Sequence, residues 1–202
     1  MTVSSHRGSL PPSYFEAKYQ IDIDPWQFRS SAYEQEKYQA TLGALTKPLY
    51  HRGLEVGCSI GVFTALLAPR CRELVALDSS RTALAEAMRQ SLPNVRFERA
   101  VQPADFPNGK FDLIVLSEVL YYFVEADLIR LAEMCRTSLD VGGEIILCHW
   151  LGETDYPLTG YQASDLFVES LSERRPTRVI LHEAVYRLER ISFACEGADA
   201  ER

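Results

Sequence analysis

The sequence predicts an α/β fold: a doubly wound, mostly parallel, seven-stranded sheet of Rossmann-like type that ends in an antiparallel hairpin. Three observations carry this expectation. An apolar strand, Leu54-Glu55-Val56, runs straight into a glycine-bracketed turn, Gly57-Cys58-Ser59-Ile60-Gly61. From there, apolar runs of strand length alternate with helical periodicity as far as Cys148, and strands alternating with helices imply a parallel sheet covered on both faces. The rhythm then breaks, because residues 177–183 and 186–193 are strand-like runs with no room between them for a crossover helix. Such neighbours pair antiparallel.

The elements follow in order. Residues 1–12 carry Ser, Gly and Pro without periodicity and read as a frayed arm. Residues 22–29 read as an extended or turn segment in which Pro25 restricts Asp24. A helix starts at Ser31, where Ser31-Ala32-Tyr33-Glu34 has the form of a capping box and Tyr33, Lys37, Ala40 or Thr41, and Ala44 recur at helical spacing. Beyond it the pattern predicts strand 54–56, helix 62–68, strand 74–77, helix 82–91 and strands 95–99 and 113–116. Helix 126–138, strand 144–148, helix 163–171 and the hairpin complete a single domain over residues 1–202, with 13–46 as an N-terminal lid and helix.

Composition narrows the partners. A formal charge of −7 leaves no basic face for a phosphate backbone, so nucleic acid is not expected, and a neutral or cationic small-molecule acceptor is. The five cysteines, Cys58, Cys71, Cys135, Cys148 and Cys195, are odd in number and scattered without a C-x-x-C pair. They read as buried thiols in a reducing compartment, with no metal site. No apolar run reaches the roughly 18 residues of a membrane span, and no signal peptide opens the chain. The expected product is a cytoplasmic monomer or weak dimer.

The glycine turn sets the cofactor class. Asp78 ends the second apolar run about 20 residues after the turn, where an acid accepts ribose hydroxyls. A dinucleotide fingerprint requires G-x-G-x-x-G, but here Ser59 holds the middle position and Thr64 the third. Glu55 beside the turn repels phosphate and suits a ligand bearing an amine and a sulfonium, which points to S-adenosyl-L-methionine.

In a doubly wound sheet, ligands lie beyond the carboxyl ends of the strands. That places Gly57 to Gly61 with Cys58, then Asp78, Ser117, Glu118, Tyr121 and Tyr122, and finally His149, Trp150, Glu153, Asp155 and Tyr156 around one crevice. Glu118 and His149 are the candidate proton acceptors; the plain alternative is a water-facing carboxylate and a satisfied core imidazole. Tyr121, Trp150 and Tyr156 offer flat faces to a sugar or cation, and Asp155 lies among them, although these aromatics can equally pack the loop. Trp26 and Phe28 either pin the N-terminal segment or form a lid, with Arg29 meeting the cofactor's carboxylate. The usual acid after the third strand is replaced by Ala100-Val101-Gln102, leaving Asp105 near Phe106 as the adenine candidate.

The mostly parallel sheet with a terminal antiparallel strand resembles the class I methyltransferase fold. A more specific resemblance comes from Asp24-Pro-Trp-Gln-Phe-Arg29, Ser31-Ala-Tyr-Glu-Gln-Glu-Lys37, Gly53-Leu-Glu-Val-Gly-Cys-Ser-Ile-Gly61, Phe111-Asp-Leu-Ile-Val-Leu-Ser-Glu-Val-Leu-Tyr121 and His149-Trp-Leu-Gly-Glu-Thr-Asp-Tyr-Pro-Leu-Thr-Gly160. Together these segments resemble the nodulation protein S family over roughly residues 20 to 165. The resemblance implies an S-adenosyl-L-methionine-dependent methyltransferase releasing S-adenosyl-L-homocysteine. Its name-giving members N-methylate the free amine at the non-reducing end of a de-N-acetylated chitooligosaccharide during Nod factor (lipochitooligosaccharide) synthesis. It further implies Glu55, Gly57, Gly61, Asp78 and Ser117 as cofactor contacts and residues 149–160 as part of the acceptor site.

Methyl transfer from a sulfonium needs alignment and a neutral amine, so Glu118 or His149, directly or through water, is expected to take the amine's proton. Two rivals stay open: a methyltransferase of the same fold acting on another amine or hydroxyl, and a non-catalytic cofactor-binding protein. A nicotinamide oxidoreductase is disfavoured by Thr64.

Overall fold

The computed structural model describes residues 8–171 and 176–193. Seven strands form one sheet: β1 (Tyr50–Val56), β2 (Cys71–Asp78), β3 (Val95–Arg99), β4 (Phe111–Ser117), β5 (Leu139–Trp150), β6 (Thr177–Glu183) and β7 (Tyr186–Ser192). Their spatial order is β3-β2-β1-β4-β5-β7-β6. The first five run parallel, and β7 pairs antiparallel with both β5 and β6. The doubly wound sheet with a C-terminal antiparallel hairpin is therefore as expected from the sequence.

The central strands are continuous apolar runs because helices cover both faces. Leu113, Ile114, Val115 and Leu116 of β4 are all fully buried, with Ile114 and Leu116 in one core cluster and Leu113 and Val115 in another. That alternation places consecutive side chains in opposite cores. The helices are α1 (Pro12–Ile21), α2 (Ala32–Gly43), α3 (Val62–Leu67), α4 (Arg81–Met88), α5 (Glu125–Ser138) and α6 (Gly160–Ser170). Register aligns Val56 with Leu77 on one side and Leu116 on the other, so β1, β2 and β4 end level beneath a common crevice.

Several boundaries differ from the periodicity reading. Strand β1 begins at Tyr50 rather than Leu54, because Tyr50 is fully buried and hydrogen-bonds Glu144. Helix α6 begins at Gly160, where Thr159 and Gln162 form a complete capping box. The box at Ser31 is half of one: the Ser31 hydroxyl accepts from the Glu34 amide, but the Glu34 carboxylate turns to Lys37 instead of reaching back.

The largest departure is at the N-terminus. Residues 8–12, read as part of a frayed arm, are fastened, and Pro12 occupies the first turn of a helix that the periodicity did not reveal. The Leu10 amide donates to the Tyr122 carbonyl. The Ser9 hydroxyl accepts from the Val124 amide and donates to Asp127, capping α5 from outside. Residues 1–7 lie outside the described residues. Cys58, Cys71, Cys135 and Cys148 are buried free thiols, and Cys195 lies outside the described residues. No helix among the described residues is long and apolar enough to cross a membrane.

Candidate active site

The carboxyl ends of β1 to β5 converge on a cavity of about 400 Å³, roofed by the N-terminal segment through Phe15, Tyr19, Trp26 and Phe28. On one side stands the β1–α3 turn. Gly57 and Gly61 both have φ of +80° and Ser59 has +52°, a left-handed conformation that only glycine adopts without strain. This geometry turns the Ser59 amide onto Asp78 Oδ2 at 2.8 Å, while the Ser80 amide donates to Oδ1 at 2.8 Å. Burial pushes the Asp78 carboxyl up to about 6, against the pull of those backbone donors. The acid is held by fixed dipoles and each oxygen keeps a further lone pair.

Glu55 lies next to it, buried, and its Oε2 has no hydrogen-bond partner among the described residues. Burial pushes its carboxyl up to about 7, with the nearby Thr64 hydroxyl pulling it down and the charge of Asp78 adding to the rise. Cys58 and Ser117 also line the cavity, as does Gly57. Gly61 is set back from the wall. A Cβ there would lie 2.8 Å from Gln90 Nε2 and 3.0 Å from the Ala87 Cβ, so its bareness serves the close approach of α3 and α4.

Beyond β3, Val101 and Gln102 line the cavity. Gln102 Oε1 is buried without a partner. Asp105 faces away: it is exposed, and its carboxylate accepts from the Val101 amide at 2.9 Å.

On the β4–β5 side, Glu118 is the centre of a network. Its Oε1 accepts from Lys37 Nζ at 2.6 Å, and its Oε2 accepts from the Trp150 amide at 3.1 Å and from the Tyr121 hydroxyl. Burial works to raise its carboxyl, but the Lys37 ammonium and these bonds outweigh it and hold the group below the usual range. Lys37 is fully buried on α2, where Glu34 accepts its second bond at 2.9 Å. Burial opposes its charge, yet Glu118 and Glu34 together raise its pKa above that of a free lysine.

His149 does not reach the cavity. It is fully buried, its Nε2 accepts from the Leu120 amide at 3.1 Å and its Nδ1 faces the Ser164 hydroxyl at 3.5 Å. Burial presses its pKa down to about 4, so the imidazole is neutral and its lone pair is engaged. Tyr121, Trp150 and Tyr156 do line the wall. Tyr156 stacks on Tyr121 with ring centroids 5.3 Å apart. Asp155 is exposed and outside the cavity. Arg29 is also outside: its guanidinium is spent on Glu86 at the surface. Trp26 lines the cavity with Phe28 stacked on it at 5.7 Å.

Sequence reasoning missed Tyr19, Glu34 and Gln102 as cavity residues, and Glu16 as the tether of the roof. Tyr19 donates to the Ser59 hydroxyl at 2.5 Å, and Glu16 accepts from Ser80 and Thr82 at 2.7 Å each, fastening α1 over the turn and over α4. The one available signal for the Lys37 cluster was a charged residue within an apolar helical stripe.

The model of the family "Nodulation protein S (NodS)" matches residues 15–143. Nodulation protein S of Sinorhizobium fredii is 36% identical over 112 residues, covering 54% of this chain and 52% of the relative. That of Rhizobium tropici is 32% identical, covering 54% and 47%. The chain thus spans about half the length of the nodulation proteins it matches. Among solved structures, a putative methyltransferase from Pseudomonas syringae superposes with a TM-score of 0.70 at 34% identity, covering 80% of this chain and 99% of the other. The N-methyltransferase NodS of Bradyrhizobium japonicum WM9, in complex with S-adenosyl-L-homocysteine, gives 0.71 at 22% identity, covering 87% and 96%. The sheet order and these neighbours establish the class I methyltransferase fold. Because the family match runs from the roof helix through the glycine turn, Asp78 and Glu118 to the start of β5, this chain belongs to the nodulation protein S family.

Proposed function

We propose that the protein is an S-adenosyl-L-methionine-dependent N-methyltransferase acting on the free amine at the non-reducing end of a de-N-acetylated chitooligosaccharide, a step of Nod factor synthesis. The observation that carries this reading is the unpartnered, buried Glu55 Oε2 beside the glycine turn, in the same cavity as Asp78. A buried carboxyl oxygen without a donor is costly unless a proton or a cation completes it. The cofactor's ammonium fits that need, and the ribose hydroxyls fit the free lone pairs of Asp78. Gln102 Oε1 supplies a neutral acceptor for an adenine amino group where the usual acid is missing.

When bound, the cofactor supplies an electrophilic methyl on a sulfonium. The chain's residues do the rest. Trp26, Phe28 and Tyr19 exclude water from above; Trp150 and Tyr156 shape the acceptor side. Glu118, with three donors on its carboxylate, fixes the Trp150 backbone and Tyr121 and makes that side acidic. His149 supports the same loop through the Leu120 amide rather than meeting the substrate. One observation favours a second reading, a smaller amine acceptor. Tyr121 has one face covered by Tyr156, and Phe15 packs edge-on to Tyr122 at 4.8 Å, so neither wall is a free platform for a pyranose ring.

The test is transfer of labelled methyl to a chitooligosaccharide with its terminal amine free, beside the fully acetylated compound and a panel of small amines. Transfer confined to the free-amine oligosaccharide supports the reading; transfer confined to small amines selects the second. Cofactor binding without transfer to any acceptor refutes both.

A further inference from the structure

The proposed reaction requires a group to take the acceptor's proton, and neither expected candidate is free to do so. Glu118 already takes three donors, and the Lys37 ammonium holds its carboxyl below the usual range, which makes it a weak proton acceptor. His149 has its acceptor nitrogen on a backbone amide. A third group is differently placed. Glu34 is 8% exposed and lines the cavity. Its Oε1 is bonded to Lys37, while its Oε2 makes no well-formed hydrogen bond among the described residues, the Tyr38 hydroxyl being the neighbour that helps hold its charge. The Tyr33 hydroxyl, from the preceding residue and lining the same cavity, is likewise buried and unpartnered. Two adjacent side chains of α2 therefore line the cavity that Glu118 also lines, each carrying a buried oxygen without a well-formed hydrogen bond. The Glu34 side chain is not needed to cap its own helix, because Ser31 bonds only its backbone amide.

We propose that Glu34 is the catalytic acceptor residue: its Oε2 receives the substrate's ammonium group and takes one proton from it, with the Tyr33 hydroxyl as a second hydrogen-bonding partner. This rests on the methyltransferase reading above. In the first step an ammonium N–H bond breaks, its electron pair stays on nitrogen, and the proton passes to Oε2. The nitrogen pair then forms the new N–C bond as the C–S bond breaks, with that bond's electrons retained on sulfur. Release of the Glu34 proton to solvent resets the site, and one proton is freed per methyl transferred.

The charge balance fits. Glu34 and Glu118 flank the single ammonium of Lys37, so the cluster carries a net negative charge that an incoming cation neutralises. Burial raises the Glu34 carboxyl above its usual range, Lys37 on its own helix pulls it back, and Glu118 from the end of β4 raises it further. The Tyr38 hydroxyl, also on α2, lowers it by hydrogen bonding to the carboxyl. A carboxylate raised in this way is a better match to an amine than an exposed one.

The decisive variant is Glu34→Gln, assayed with a chitooligosaccharide carrying one free terminal amine, from pH 6 to pH 10. Affinity for S-adenosyl-L-homocysteine and the thermal midpoint report cofactor site and fold. With those unchanged, kcat/KM at pH 7 is expected to fall by about 100-fold, and the deficit to shrink as rising pH deprotonates the amine in solution. A kcat/KM within threefold of wild type, or a deficit equal at every pH, overturns the assignment. Should Glu34→Gln not fold, Glu34→Asp keeps the charge and withdraws the oxygen by one methylene; at least a tenfold loss is expected, because small misplacements of a reacting group are costly. An undiminished rate in Glu34→Asp also overturns it. The two proposals fail differently: wild-type turnover with an active Glu34→Gln enzyme removes only the role of Glu34. Wild-type protein that binds S-adenosyl-L-homocysteine but methylates no amine removes the reaction and the role together.

Discussion

Lys37 Nζ lies 2.6 Å from Glu118 Oε1, joining α2 to the carboxyl end of β4 across 81 residues of sequence. The Lys37 side chain is 2% exposed and that of Glu118, which lines the cavity, 16%. Removing the cation strands two carboxylates, because Glu34 depends on the same ammonium. Lys37→Met is expected to cost about 3–5 kcal/mol, read as a lowered midpoint in urea unfolding. An unchanged midpoint would show that the pair contributes nothing to holding α2 on the sheet.

If the cofactor's ammonium seats on Glu55, as proposed, cofactor affinity depends on pH. The Glu55 carboxyl is raised from 4.5 to about 7 by burial, so the ligand-free folded state holds a proton that the unfolded chain has lost. That protonation favours folding below the unfolded pKa, and the advantage declines as pH rises toward 7, by roughly 3 kcal/mol in all. A cation bound at Glu55 favours the ionised form. S-adenosyl-L-homocysteine affinity should therefore rise between pH 6 and pH 8, and Glu55→Gln should flatten that rise. Calorimetric titration at several pH values measures both.

His149 acts in the opposite sense. Its pKa is lowered from 6.5 to about 4, so folded protein binds fewer protons than unfolded chain in that window. Stability is lost as pH falls from 6.5 toward 4, by roughly 3 kcal/mol. In His149→Gln, which can still accept from the Leu120 amide, this slope disappears while the pH profile of kcat keeps its shape. Altered kcat pKa values in the variant would return His149 to the chemistry.

The roof is tethered by Glu16, which accepts from Ser80, Thr82 and the Thr82 amide. Hydroxyl donors hold its carboxyl down at about 2. Glu16→Ala is expected to speed dissociation of S-adenosyl-L-homocysteine in stopped-flow experiments and to raise amide exchange in α1, leaving the exchange of β4 unchanged. Equal dissociation rates would mean that α1 does not gate the cavity.

The two glycines of the turn should separate under substitution. Gly61→Ala meets Ala87 and Gln90 at 3.0 Å or less and also carries a left-handed φ; a loss of about 2–4 kcal/mol follows from strain and overpacking. Gly57→Ala meets only Val119 at 3.4 Å, and backbone strain alone costs about 1–2 kcal/mol. Thermal denaturation of both variants distinguishes the packing glycine from the cavity glycine.

The sheet and its rim were legible in the sequence because both are written in local order. Leu54 to Val56, Leu74 to Leu77 and Leu113 to Leu116 are unbroken apolar runs, as strands buried on both faces must be. Glu55, Asp78, Ser117 and Glu118 fall at strand ends, where chain connectivity alone brings them to one edge. What side chains do once there depends on neighbours remote in sequence. His149 ends a strand as expected, yet Leu120 and Ser164 occupy its nitrogens. Arg29 lies beside the roof but pairs with Glu86 on α4. Ser9 and Leu10, in the stretch that composition marked as loose, are held by Tyr122, Val124 and Asp127. The sequence by itself determined which strands exist, their direction and the edge at which the site forms, since these follow from periodicity and connection length. Only the tertiary structure decided which charges are spent on each other and which, like Glu34 Oε2, remain open, because hydrogen-bond saturation is a property of contacts between distant segments.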